Sequence, residues 1–306
     1  MTVIMDFDNL KKQYLASSLL MRLIYINIAV FVVLRLVGIV SFLATGTSNA
    51  LLQWVEMPSS LPLLLRRPWT IITYMFSHYG VLHILFNMLW LYWLGRIFLE
   101  FFMPRQLGGL YVLGGLAGAA LYVVAYNLLP HLTSSQAMML GASASVMAIV
   151  IAVAVYRPDY QINLLFIGGI SLKWVAIVTV FIDLIGIEGG NLGGHVAHIG
   201  GMLMGLWFGL EIRRGHDITS WINRCIDAVV SLFKGNKPQA WRPIKGKSPK
   251  SSKPKNDTKA TGTKGQQSTS LNEERLDEIL GKLKRSGYGA LSDEEKEFLF
   301  NASRKR

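Results

Sequence analysis

Residues 141–149 read GASASVMAI. Ser143 stands there among small apolar residues, and the run stays apolar to Tyr156. Further on, residues 193–201 read GGHVAHIGG and put His198 in the same kind of setting. This hydroxyl and this imidazole belong either to a soluble core or to membrane helices, and the two settings imply different architectures.

Composition favours the membrane. Of 306 residues, 51% are hydrophobic and only 16% charged, and the mean hydropathy is +0.36. A soluble domain carries about 25% charged residues. The net charge of +12 is unevenly spread. From Arg213 onward there are 21 Lys and Arg against 11 Asp and Glu, so the hydrophobic body is nearly neutral and the tail is basic. The single cysteine, Cys225, excludes an intrachain disulfide.

A spanning helix needs roughly 20 apolar residues. Six stretches qualify: Leu20–Leu43, Val81–Phe101, Gly108–Leu129, the short Gly141–Tyr156, Ser171–Ile187 and Leu192–Ile212. No cleavable signal pattern precedes Met21, where Asp6, Asp8, Lys11 and Lys12 stand instead. Lys and Arg mark the inner loops. Lys11, Lys12, Arg96, Arg105, Arg157, Lys173, Arg213 and Arg214 fall on one side, with Arg66 and Arg67 as the exception. Both ends are therefore predicted to be cytoplasmic, and the starts of the second, fourth and sixth spans lie at the outer side. Those starts hold His83, Ser143 and His198.

Depth brings the groups together. The fourth span, 16 residues in this reading, reaches only about 24 Å across a core of about 30 Å. Its outer end must start below the surface, and His198 lies at a depth of about 9 Å in the sixth span. Ala144, Ala148 and Ala152 line one face of the fourth span, and Ala197, Gly201 and Gly205 one face of the sixth. Small faces let helix backbones approach closely. A lone intramembrane serine is usually a packing residue, and a lone histidine a structural hydrogen-bonder. At matching depth on facing small stripes, the pair reads as an activated nucleophile beside its base. His83 and Asn87, one turn apart on the second span, could donate to an oxyanion. A water-filled hollow is implied, because irregular backbone at that depth must meet protein or water.

With these residues in view, the sequence resembles the rhomboid intramembrane serine proteases. The resemblance runs from Arg66 to Ile212 and rests on HILFN at 83–87, GASA at 141–144 and AHIGGMLMG at 197–205. It implies an all-α, polytopic membrane protein, a six-transmembrane-helix rhomboid bundle with a cytoplasmic C-terminal tail. It implies Ser143 as nucleophile and His198 as general base in a Ser–His dyad. His83 and Asn87, with the Ser143 backbone N–H and the Gly141 turn, would form the oxyanion and substrate-positioning groups. His78 matches a recurrent histidine upstream. Two departures stand out: Ala144 replaces the usual glycine after the serine, and Met147 stands where an aromatic commonly orients the histidine ring. His195, three residues before His198, is a supporting partner or, less favoured, the base itself. Gly201 and Gly205 are the helix-packing residues. Asp183 could pose as a third catalytic member, but a structural role is favoured, because the family pattern works without an acid. No metal and no cofactor are expected.

The function implied is a serine-type endopeptidase that hydrolyses peptide bonds in or near the transmembrane segments of other membrane proteins. Substrates would enter between the second and fifth spans, beside Phe86. The alternative is an inactive rhomboid-like protein that binds membrane clients. A transporter would need charged pairs at mid-membrane, and only Arg35 and Asp183 lie there, neither with a partner visible in the sequence. The expected location is a bacterial inner membrane, with the active site opening to the outer side. The organisation expected is a cytoplasmic N-terminus (1–19), the six-span core (20–214), a juxtamembrane segment (215–233), a basic disordered linker (234–270) and a small helical hairpin (271–306). The linker's lysines suit loose contact with anionic lipid. The hairpin suits a protein partner or self-association, with a capping box at Ser292 and Glu295. Nucleic acid is not an expected partner.

Overall fold

The computed structural model describes residues 14–47, 51–129, 132, 136–164, 168–187, 191–234, 278–279, 292 and 294–295. The chain divides into two units, Met1–Ala240 and Trp241–Arg306. In the second, the Ser292–Glu295 capping box forms: Ser292 N–H donates to Glu295 Oε2 at 2.7 Å, and Glu295 N–H to Ser292 Oγ at 3.3 Å. The linker and, apart from residues 278–279 and 294, the rest of the hairpin lie outside the described residues.

The first unit is a helical bundle. Helix α1 spans Leu19–Thr45; Ser18 caps its start and Gly46, at φ +67°, its end. The connection after α1 is structured: strand β1 (Met57–Pro58), helices α2 (Leu61–Arg66) and α3 (Thr70–Thr73), and a 3₁₀ turn at Tyr74–Phe76. Arg67, one of the two residues that break the loop-charge bias, is held within this segment. Its guanidinium lies 4.4 Å from the Trp54 ring centroid and donates to the Gln53 carbonyl at 2.7 Å.

Helix α4 (Val81–Phe101) has the bounds read from sequence. Helix α5 (Pro104–Leu128) starts four residues before the expected Gly108. Pro104 is pre-set for the first helical position, and the Gln106 side chain accepts from Met103 N–H at 2.9 Å. Strand β2 (Met138–Met139) then pairs antiparallel with β1, Met57 opposite Met139. Helix α6 covers Ser143–Tyr156, 14 residues and so about 21 Å. A hairpin of β3 (Gln161–Leu164) and β4 (Gly168–Ser171) leads to α7 (Leu172–Gly186) and α8 (Leu192–Arg213). The two small sheets are additions to an all-α expectation. They arise where short extended connectors satisfy each other's backbone groups.

Among the described residues, three helices, α1, α4 and α5, are long and apolar enough to cross a membrane. Their lipid-type faces are plain: α1 buries five residues, and Phe42, Leu43 and Val40 stay exposed. Helix α6 is the opposite. Ten of its residues are buried, which makes it the central element of the bundle. It can sit there because its neighbours are smooth. A Cβ on Gly201 would run into the Ala144 carbonyl oxygen, and one on Gly205 into that of Ala148. Helix α5 offers Gly114 and Gly118 to the other side of α6, where a Cβ would strike the methyls of Ala148 and Ala144.

The juxtamembrane segment carries helix α9 (Ser220–Lys234), with Thr219 N–H bonded to Asp217 Oδ1 at 2.8 Å just before it. An Arg105–Asp227 ion pair and an Asn223 amide donating to the Arg105 carbonyl at 3.0 Å tie α9 to the start of α5.

Candidate active site

Ser143 is the first residue of α6, and everything before it is anchored. The pairing of β2 with β1 fixes residues 138–139. Gly141 N–H then donates to the Tyr74 carbonyl at 3.0 Å. Ala142 N–H donates to His78 Nε2 at 3.2 Å, so that nitrogen is unprotonated and the proton sits on Nδ1. His78 is fully buried and meets the His83 ring edge-on at 5.0 Å. Gly141 has φ +122°, and a Cβ there would stand 2.8 Å from His83 Cε1 and Nε2. Only glycine accepts both that backbone and that imidazole.

The turn leaves the N–H groups at the start of α6 without intrahelical acceptors; the first such bond in this turn is Val146 N–H to the Ala142 carbonyl. Free N–H groups and the positive end of the helix dipole favour negative charge beside Ser143. Asn87 uses one amide proton on the His83 carbonyl at 2.9 Å. Its amide has a second proton to offer.

Two cavities meet at Ser143. A polar one of about 370 Å³ is lined by Ser143, His198, His83, Asn87, Gly141 and Asn191, among others. An apolar one of about 380 Å³ runs between α4 and α7, lined by Phe86, Asn87 and Trp90 on one side and Thr179, Ile182, Asp183 and Gly186 on the other. Ser143 and Asn87 line both. The structure thus brings Ser143, His198, His83, Asn87 and Gly141 to one cavity, with His78 directly behind. Met147 instead faces the apolar cavity, with His195.

Asp183 is 5% exposed and sits against the histidine pair. His198 Nδ1 lies 2.5 Å and His195 Nδ1 2.7 Å from the same carboxylate oxygen, Oδ1. Arg35 has a partner too, the Tyr79 ring, 5.0 Å from its guanidinium carbon. The sequence showed Asp183 as the only carboxylate of its span. It could not show that Asp183 and Gly186 share a face of α7 against α8, where a Cβ on Gly186 would lie 2.6 Å from His195 Cε1.

The donor atoms of Asp183, His195 and His198 lie within 4.8 Å of one another, a set with the chemistry to hold a divalent ion. Both imidazole nitrogens, however, share one oxygen at hydrogen-bond distance. Ligands of one tetrahedral zinc stand about 3.3 Å apart. The arrangement is a hydrogen-bonded one.

Comparison with known proteins agrees with the motifs. Residues 65–215 match the family described as Rhomboid domain. The chain is 30% identical over 150 residues to presenilin-associated rhomboid-like protein A, mitochondrial, of Danio rerio, covering 47% of this chain and 36% of that protein. It is 29% identical over 158 residues to RHOMBOID-like protein 12, mitochondrial, of Arabidopsis thaliana, covering 48% and 47%. The chain thus spans less than half the length of either relative. Both names say mitochondrial, which lends no support to a bacterial inner membrane for this protein. The domain match, the apolar helices and the order of the three motifs agree: this chain is an integral membrane protein of the rhomboid family.

Proposed function

We propose that the protein is an intramembrane serine endopeptidase, with Ser143 as nucleophile and His198 as base. The observation that carries this reading is the shared cavity: Ser143 at an anchored helix start, facing a cavity that His198, His83 and Asn87 also line. In the reaction, His198 Nε2 takes the Ser143 Oγ proton while Oγ bonds to the scissile carbonyl carbon. The carbonyl electrons move to oxygen, where the free N–H groups of α6, the second Asn87 proton and His83 stabilise the charge. One such donor is typically worth about 10²–10³ in rate. The proton passes to the leaving amine, and water entering through the polar cavity hydrolyses the acyl-enzyme.

The substrates proposed are other membrane proteins. Phe86 and Ile182, on the two sides of the apolar cleft, are 55% and 64% exposed, so the cleft opens where lipid would lie. A substrate helix passing there must unwind to present a carbonyl, which favours Gly, Pro or small polar residues near the cut. In this reading α6, α7 and α8 complete six spans.

The test is incubation of the purified protein with a panel of single-span substrates, wild type against Ser143→Ala and His198→Ala. Each variant should lose cleavage, and the double variant should be no worse than either. A fluorophosphonate should label wild type and not Ser143→Ala. Full cleavage by Ser143→Ala would overturn the reading. Client capture without cleavage, equal in wild type and Ser143→Ala, would point to an inactive binding protein.

A further inference from the structure

We infer that Asp183 is a positioning residue for His198, turning the Ser–His pair into a three-membered relay anchored on α7; the inference rests on the reading of His198 as base. Helix α7 is an unusual place for a buried acid. Leu172, its first residue, and Asp183 are its only buried residues, while Phe181, Ile182, Leu184 and Ile185 around the acid are exposed. A carboxylate in such a setting carries a large desolvation cost unless strongly partnered. Its partners are the two imidazoles, both on Oδ1, and Oδ2 is buried with no hydrogen-bond partner. The whole partnering of the acid is therefore directed at α8.

The chemistry follows from which nitrogen is held. An ionised carboxylate only accepts, so His198 must carry a proton on Nδ1 to meet it. The neutral ring then has Nε2 unprotonated, the nitrogen that the proposed mechanism needs towards Ser143. When Nε2 takes the serine proton, the imidazolium keeps its Nδ1–H on Asp183, and the carboxylate stabilises that charge without itself being protonated. His195 donates to the same oxygen but lines the apolar cleft rather than the polar cavity. It steadies the acid; it does not face the reacting bond. The position where the family pattern commonly has an aromatic against the base is Met147 here, a flexible side chain that lines the other cavity. Asp183 supplies orientation through the hydrogen bond at Nδ1.

The decisive variant is Asp183→Asn, which keeps shape but lets the amide NH₂ point at Nδ1 and favour the wrong tautomer. Two readouts are taken in detergent micelles. The first is kcat and KM on a cleavable single-span substrate, or the fluorophosphonate labelling rate of Ser143. The second is ¹⁵N NMR of histidine-labelled protein, with signals assigned through His195→Ala and His198→Ala. The expectation is a fall in kcat or labelling on the order of 10²–10⁴-fold, with KM changed by less than about 3-fold, and loss of the Nδ1–H tautomer at His198. Asp183→Glu, which restores a carboxylate, should keep the tautomer. Asp183→Asn with kcat within about 3-fold of wild type, or with the His198 tautomer unchanged, overturns the inference. If Ser143 neither cleaves nor labels but Asp183→Asn still shifts the tautomer, the protease reading falls while the role of Asp183 in holding the ring stands.

Discussion

At Gly141 the site tolerates one residue type. Its φ of +122° lies where a side chain is strained, and the space a Cβ would take is filled by the His83 ring. Gly141→Ala meets both penalties. The backbone term alone costs about 1–2 kcal/mol. Relief can come only by moving the 141–143 turn or pushing His83 aside, and a misplacement of about 1 Å costs on the order of 10²-fold in rate. The expected outcome is a kcat loss of about that size with a small fall in melting temperature, read from a cleavage assay and a thermal melt in one detergent. Cleavage at the wild-type rate would mean the turn before Ser143 does not set the geometry. The glycine was visible in the sequence as part of GASA. The reason it must be glycine was not, because His83 reaches it from another helix.

Among the helices, the contact of α6 with α8 matters most. Nothing covalent fixes Ser143 against His198; the approach of two smooth faces does. A side chain at Gly201 would meet backbone rather than a flexible side chain, since the Ala144 carbonyl already fills the space. Gly201→Val should therefore lower thermal stability by about 1–3 kcal/mol through overpacking, and remove most activity by spreading the helices. Trp207→Val, on the same helix but 53% exposed, should cost much less of either. Equal rates for Gly201→Val and wild type would show that the stripe does not hold Ser143 and His198 together. This contact was legible in sequence as the Ala144–Ala148–Ala152 and Ala197–Gly201–Gly205 spacings, because four-residue periodicity directly encodes a helix face. The start of α5 was less legible. The stretch PRQL at 104–107 looks polar for a span, and its helical start is supported by Pro104 at the first position and a cap made by Gln106.

For the molecule as a whole, charge and hydropathy make a topological claim that one residue can report. Cys225 is the single cysteine, and it is exposed on α9, after the proposed sixth span. Thr47 is exposed after the first. With six spans and a Lys-rich inner side, an impermeant maleimide should label Cys225 from the side that bears the tail. In Cys225→Ser/Thr47→Cys it should label only from the opposite side. Labelling of both positions from one side would refute the six-span arrangement, whatever the enzyme activity.

Hydropathy found the helices because burial in lipid demands long apolar runs, and these need no partner to be recognised. Helical spacing put His83 and Asn87 on one face, because residues one turn apart share a face wherever the helix goes. Composition and periodicity, then, carried the helical class and the chemistry available on each helix. Which groups meet was set by packing between distant segments. It paired the Met57 and Met139 strands to pin the turn before Ser143. It gave Arg35 the Tyr79 ring. And it set Asp183 against His195 and His198, residues whose meeting across two helices depends on how α7 rotates against α8, an angle fixed by packing and written in no local pattern.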